Sequence, residues 1–283
     1  MNIYDKKSIP QHLQKYFEPV ELGLELTFQE YIAKLIAIFN ECYRVLRDDG
    51  TCYVNLGDTY GGTGDKKDYT DPKYPNGRNG QSTAVNRTAK SLCQIPSRFA
   101  IAMTDNGWIL RNEIIWHKPN AMPSSAKDRF TVDFEKVFFF TKKQNYYFEQ
   151  QLEQYCEPIN RWGGENVKRL NGSDEYGMAQ RIRNYRPVEQ GKNMRTVWSI
   201  NTSPFPDAHF ATFPEKLAET CIKSGCPKDG IVLDPFSGAA TTGVVCKKLV
   251  RQYIGVELNP EYVELSENRI KNTAVNNSIM EFI

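Results

Sequence analysis

Between Thr27 and Gly50 the apolar residues fall at Tyr31, Ile32, Leu35, Ile36, Ile38, Phe39, Cys42, Val45 and Leu46. That recurrence, every three or four positions, is one face of an α-helix. Thr27 and Glu30 form a Thr-x-x-Glu capping box, Arg44 and Arg47 suit the last turn, and Gly50 supplies the stop. TCYVNLGD then predicts a short buried strand ending at Asp58. Downstream the pattern predicts a helix from about Pro96 to Asp105, a strand WILRNEIIW, a loop HKPNAMPSSAKDR and a strand FEKVFFFTKK. The last ninety or so residues are the most regular. Thr212 is expected to cap a helix running to Gly225, with Pro214 in its first turn and Glu215 as capping-box partner. GIVLD, TTGVVCKKLV, RQYIGVE and PEYVELSENRI follow as strand, helix, strand and helix, the last capped by Asn259. Strands alternating with helices predict βαβ units and a parallel sheet.

Two stretches lose all periodicity. Residues 60–92 are rich in Gly, Asn, Asp, Ser and Lys, a loop long enough to be functional or disordered. From Gln151 to Thr196 the pattern is again irregular and turns basic toward its end, at Arg181, Arg183, Arg186, Lys192 and Arg195. This reads as an inserted subdomain. The expected organisation is therefore a first half over 1–150, an insertion over 151–196 and a second half over 197–283.

Composition narrows the classes. A chain of 283 residues can bury a proper core, and a formal charge of +2 permits nucleic acid without demanding it. The longest apolar runs, such as KLIAIF, fall far short of the roughly 20 residues of a membrane helix. The amino terminus shows no signal-peptide pattern. Seven cysteines, odd in number and never in a C-x-x-C pair, fit reduced thiols in a cytoplasm and predict no metal site. His12 and His117 read as surface or hydrogen-bonding residues.

The chemistry concentrates in GIVLDPFSGAATTG, where a loop of small residues joins a strand to a helix. Such a loop offers backbone N–H groups and a helix N-terminus to a polar ligand. Glu257 ends the next strand, where an acid can accept hydrogen bonds from two ribose hydroxyls. Loop, acid and alternating context together predict a nucleoside-bearing ligand. A full G-x-G-x-x-G is missing, which argues against NAD, and G-x-x-x-x-G-K-[ST] is missing, which argues against a nucleoside triphosphate.

LDPFSGAATTG followed by RQYIGVELNPEY resembles the S-adenosylmethionine-binding end of the β-class DNA amino-methyltransferases. Those enzymes methylate N4 of cytosine or N6 of adenine. GLELTFQEYIAKLIAIFNECYRVLRDDGTCYVNLGDTY, NGWILRNEIIWHKPNAMPSS, KDRFTVDFEKVFFFTKK and HFATFPEKLAETCI fit the same family in a consistent order, over roughly Leu22 to Ile270. The resemblance implies an α/β, Rossmann-like methyltransferase fold with a mixed central sheet, permuted so that the cofactor half comes last. It implies S-adenosylmethionine as cofactor, bound by His209, Phe213, Pro214, Asp234, Phe236, Gly238, Ala240, Thr241, Thr242 and Glu257. Asp58, Trp116, Lys118 and Asn120 would lie around the target base. Residues 151–196 would stand in the place of the target recognition region, with Arg181, Arg183, Arg186, Lys192 and Arg195 on DNA phosphates. Double-stranded DNA is the implied partner, with a restriction endonuclease as counterpart. Ala240 departs from the family's Phe-x-Gly-x-Gly. If that position needs φ > 0, alanine costs about 1 kcal/mol or more, and its methyl is expected to crowd the cofactor.

The family's catalytic loop, an Asp, Asn or Ser followed by Pro-Pro and an aromatic, precedes the GLELT segment. TSPFP (202–206) has a similar look but sits just before HFATFP, so it reads as a connecting turn. No strand or matching motif is legible before Leu22. Two expectations follow: a methyltransferase completed by a separate N-terminal fragment, or a remnant that binds DNA or cofactor without turnover. A methyltransferase acting on RNA or a small molecule fits the basic stretches less well.

Overall fold

The computed structural model describes residues 22–23, 25, 27–61, 90–154, 191–203 and 212–275. In chain order these form α1 (Phe28–Val45), β1 (Thr51–Leu56), α2 (Ile95–Asp105), β2 (Ile109–His117), β3 (Phe134–Thr141), β4 (Leu152–Glu153), β5 (Lys192–Asn193) and β6 (Val197–Ser199). They continue as α3 (Glu215–Gly225), β7 (Ile231–Asp234), α4 (Thr241–Lys248), β8 (Gln252–Gly255) and α5 (Pro260–Asn272). None of the described helices is long and apolar enough to cross a membrane.

The larger sheet has the order β1-β3-β2-β6. Its β1–β3 and β3–β2 pairs are antiparallel and its β2–β6 pair is parallel. The expected parallel βαβ arrangement is met at β7–α4–β8, whose strands pair in parallel from Ile231↔Gln252 to Asp234↔Gly255. Among the described residues these two strands form their own small sheet, and the larger sheet makes the fold mixed.

β3 holds the centre because FEKVFFFT is apolar on both faces. Phe138 and Phe140 are fully buried against Leu35, Ile36, Phe39, Phe99 and Met103 of α1 and α2. The alternate residues Val137 and Phe139 turn the other way, onto Trp116, Trp198 and Leu217. Strand alternation thus divides one strand between two cores. Burying each such aromatic contributes on the order of 1.5–3 kcal/mol. Phe213 joins the second core to a third, formed by Ala218, Ile222, Cys226, Val245, Cys246 and Leu249.

Local signals set most of the helix ends. Thr27 accepts the Glu30 amide at 3.2 Å and caps α1, and Asn259 accepts the Glu261 amide at 2.9 Å and caps α5. The cap expected at Thr212 does not form. Pro214, extended at φ −68° and ψ 148°, is the N-cap of α3 and supplies no side-chain bond. Thr212 therefore lies upstream of the cap, and Glu215 turns instead to Lys248 Nζ at 2.5 Å. Helix α1 also stops before Gly50, at Val45, with Leu46 extended as its C-cap.

The irregular stretches are held at their ends. Tyr60 bridges Leu92, the Gly61 amide donates to Ser91 O at 2.8 Å, and the Lys90 amide donates to Gly61 O at 3.0 Å. These bonds close the base of segment 62–89. The short β4–β5 ribbon pairs Leu152 with Asn193 and Glu153 with Lys192, closing the base of segment 155–190.

Candidate active site

β7 and β8 run in parallel, so their carboxyl ends lie side by side. Leaving β7, the chain makes a tight loop, Pro235 to Ala240, and enters α4. Two of its residues take left-handed backbone: Gly238 at φ 49° and Ala240 at φ 54°. A Cβ built on Gly238 would meet nothing within 4 Å, so the loop faces open space there. Ala240 caps α4 without a side-chain bond and is fully buried.

Side chains from the strands and from α5 knit this loop. Asp234 Oδ1 accepts the Phe236 amide at 3.0 Å, and Oδ2 accepts the Thr242 hydroxyl at 2.6 Å. Glu257 Oε2 accepts the Gly238 amide and Oε1 the Asn259 amide, both at 2.8 Å. Tyr253 and Ser237 hydroxyls meet at 2.7 Å. Arg269 Nη1 donates to Ala239 O at 2.7 Å and to Thr241 Oγ1 at 3.1 Å. Burial holds the Arg269 guanidinium below its ordinary range, opposed by the charge of Glu215. Burial raises the Tyr253 phenol, opposed by its bond to Ser237.

Beside the loop lies a cleft of about 180 Å³ lined by Thr212, Phe213, Phe236, Ser237, Gly238, Ala239, Thr241, Tyr262 and Leu265. Ala240 does not line it. Its methyl is packed inward, so the expected crowding of a ligand has no counterpart in this geometry, although the expected positive φ is present. Pro214 is buried at the start of α3, next in sequence to Phe213.

Tyr253, Tyr262, Leu265 and Arg269 escaped the sequence reading. The last three are spaced as one face of α5, a signal that the capping and motif arguments passed over. Gly243 and Gly255 matter for the side chains they lack. A Cβ on Gly243 would meet Tyr253 and Ile270 at 2.6–2.7 Å, and one on Gly255 would collide with the Tyr253 hydroxyl.

The residues expected around a target base gather at the same edge of the larger sheet. Asp58 follows β1, but its Oδ1 accepts the Thr59 and Ile95 amides at 2.9 and 3.1 Å, capping α2. Trp116 is 3% exposed, and its Nε1 donates to Ile200 O at 2.8 Å. Lys118 stands 4.4 Å over the Trp116 ring and bonds to Glu135. Asn120 exchanges two bonds with Thr202, at 3.0 and 2.9 Å. These four thus have structural partners, and Asp58, Lys118 and Asn120 keep a polar group at the carboxyl end of the sheet.

Lys192 and Arg195 both reach Glu153, at 3.3 and 2.6 Å. Arg181, Arg183, Arg186 and His209, with Pro204 to Pro206 of the TSPFP turn, lie outside the described residues. Among the described residues no group of His, Cys, Asp or Glu is placed to hold a metal ion.

A family model described as DNA methylase matches residues 16–268. The Type II methyltransferase M.Cfr9I of Citrobacter freundii is 39% identical over 268 residues, covering 93% of this chain and 79% of its own length. Among solved structures, the PvuII DNA methyltransferase (cytosine-N4-specific) shares the fold at a TM-score of 0.58 and 19% identity, over 90% of this chain and 76% of its own. A putative DNA modification methylase of Thermus thermophilus, complexed with S-adenosyl-L-methionine, does so at 0.52 and 20%, over 87% and 79%.

Proposed function

The chain belongs to the N6/N4 DNA methylase family, and from that premise we propose that it holds S-adenosylmethionine in the β7–α4 cleft. We propose further that its methyl group goes to an exocyclic amino group of cytosine (N4) or adenine (N6) in double-stranded DNA. The observation that carries this reading is the loop itself: a left-handed turn with open space at Gly238, tied to an acid at the end of the neighbouring strand.

The residues fit the cofactor. A carboxylate has about four lone-pair positions, and Glu257 spends two on backbone amides, leaving acceptor capacity for ribose hydroxyls. Phe213 and Phe236 offer apolar surface for a purine ring. The first turn of α4 has backbone N–H groups and a positive dipole end that would suit the cofactor's carboxylate. When bound, S-adenosylmethionine supplies an electrophilic methyl on sulfur, so the transfer needs no covalent enzyme nucleophile. The chain's part is to hold the base amino group in line and to accept its hydrogens. Lys118, Asn120 and Asp58 border the space a flipped base would enter, and Arg181, Arg183, Arg186, Lys192 and Arg195 are assigned to phosphates.

A second reading is a split enzyme or a remnant without turnover. Nucleoside mass spectrometry separates the readings. Plasmid DNA from methylation-deficient cells expressing the 283-residue chain should contain N4-methylcytosine or N6-methyladenine, and the product names the base. Neither above background supports the second reading.

A further inference from the structure

The turn that joins β2 to β3, residues 118–133, is pinned at its base and bare at its tip. The Lys118 amide donates to Asp133 O at 2.7 Å, and the Ala121 amide donates to Lys118 O at 2.9 Å. Asn120 is held by its two bonds to Thr202. On the other limb Lys90 Nζ donates to Asp128 Oδ2 at 2.7 Å, and the Arg129 guanidinium lies 3.7 Å from the centroid of the Tyr60 ring. The cation–π contact ties this limb to the chain leaving β1, two residues past Asp58.

Phe130, the next residue, is 96% exposed, and Met122 on the opposite limb is 87% exposed. A phenylalanine ring left in water forgoes about 1.5–3 kcal/mol relative to a buried one. Held backbone brackets this ring: Arg129 precedes it, and Asp133 joins Lys118 three residues later. A large apolar side chain presented in this way fits an apolar partner that the free chain does not supply. The surroundings say which partner. Asp128 is paired with Lys90, so Lys127 and Arg129 leave the tip positively charged. Lys118 and Asn120 belong to the same turn and border the space assigned to a flipped base. A base that leaves the stack opens a gap at a cost of a few kcal/mol, and an apolar wedge fills such a gap.

We propose that Phe130 is a wedge that enters the base stack of duplex DNA as the target nucleotide leaves it, and so holds the base outside the helix. This rests on the amino-methyltransferase reading. Phe130 touches neither the cofactor nor the reacting atoms in this role; it is a positioning residue that acts through the stack. The pinned base of the turn serves the same end. A loop that had to be ordered at the moment of insertion would lose conformational entropy, and that loss would offset what the ring gains among the bases. Here Arg129, Asp128 and Asp133 hold the backbone on both sides of the ring before DNA arrives.

The test is relaxation of a plasmid by a topoisomerase in the presence of the 283-residue chain and S-adenosylmethionine, with the topoisomers then resolved by electrophoresis. A side chain inserted between base pairs unwinds the duplex, so the parent should shift the plasmid's linking-number distribution. Phe130→Ala should keep the parent's Tm and its occupancy on the plasmid, lose the shift, and methylate the plasmid at least about tenfold more slowly. Phe130→Leu keeps an apolar wedge and should restore most of the shift. An equal shift by the bound alanine variant, or no shift by the bound parent, overturns the wedge, while methylated bases in the same plasmid leave the amino-methyltransferase reading standing. A shift that depends on Phe130 without methylated bases upholds the wedge and contradicts that reading. A parent that does not bind the plasmid overturns both. A dimer of the free chain that Phe130→Ala dissociates assigns the ring to a second copy and overturns the wedge.

Discussion

Glu257 grips Gly238 across the carboxyl ends of two parallel strands: Oε2 accepts the Gly238 amide at 2.8 Å while Oε1 accepts the Asn259 amide at the same distance. Both oxygens are acceptors facing donors. Glu257→Gln replaces one oxygen with an NH2 group that opposes an amide N–H. The loss expected is about 1–3 kcal/mol, read as a lower urea midpoint with an unchanged m-value. An unchanged midpoint would show that the acid does not hold the loop.

Arg269 is the loop's brace from α5. Arg269→Met keeps much of the apolar stem but removes the bonds to Ala239 O and Thr241 Oγ1. Stability should fall by about 1–3 kcal/mol, and hydrogen exchange should quicken at residues 237–242 while β3 amides stay as slow as before. Uniform quickening throughout the chain would contradict a local role.

Ala240 carries the strain that its left-handed φ of 54° implies. Ala240→Gly should raise stability by about 1 kcal/mol, seen as a higher Tm. Because Ala240 does not line the cleft, affinity for S-adenosylmethionine should change by less than about twofold, well under the roughly 1.4 kcal/mol of a tenfold change. Tenfold tighter binding by the glycine variant would restore the crowding expected from sequence.

Trp116 separates structure from chemistry. Buried at 3% exposure among Ile114, Val137, Phe139, Trp198 and Leu217, its truncation to Ala should cost about 3–5 kcal/mol. The variant should melt far below the parent or fail to accumulate. A Trp116→Ala protein with the parent's Tm would place the ring at the target base instead.

Alkali should destabilise the fold through its thiols. Burial pushes Cys221 and Cys246 up to about 12 from the ordinary 9.0, with Cys226 and Asp234 adding to the shift at Cys246. Folded values above unfolded ones mean that the native state holds these protons longer. Their stability contribution is complete below about pH 9 and is lost as pH rises from about 9 toward 12. The urea midpoint should be flat from about pH 7 to 8.5 and fall above about 9. Cys221→Ala/Cys246→Ala should make that fall shallower, and an unchanged slope would rule these two thiols out.

Most of the framework was legible because its signals are local. The Thr27 and Asn259 caps, the strand FEKVFFFT and the loop LDPFSGAATTG depend on neighbours in sequence, and the structure places each where the pattern does. What escaped depends on the tertiary arrangement. Trp116 at a strand end reads the same whether its ring faces a ligand or a core, and its burial beside Trp198 and Leu217 comes from elements remote in sequence. Asp58 looks like a free acid until α2 turns up above it with an uncapped Ile95 amide. Thr212 satisfies a capping-box spacing, yet the extended backbone of Pro214 starts the helix later. Arg269 is remote from the loop in sequence and reaches it only because Gly243 lets α4 pack close to Tyr253 and Ile270.

The central claim is that the β7–α4 loop and Glu257 form an S-adenosylmethionine site, and calorimetric titration of the cofactor tests it most directly. The 283-residue chain should bind one equivalent with saturation, and Glu257→Gln should bind at least about tenfold more weakly, a difference of roughly 1.4 kcal/mol. No binding by the chain, or equal binding by the two proteins, would contradict the account.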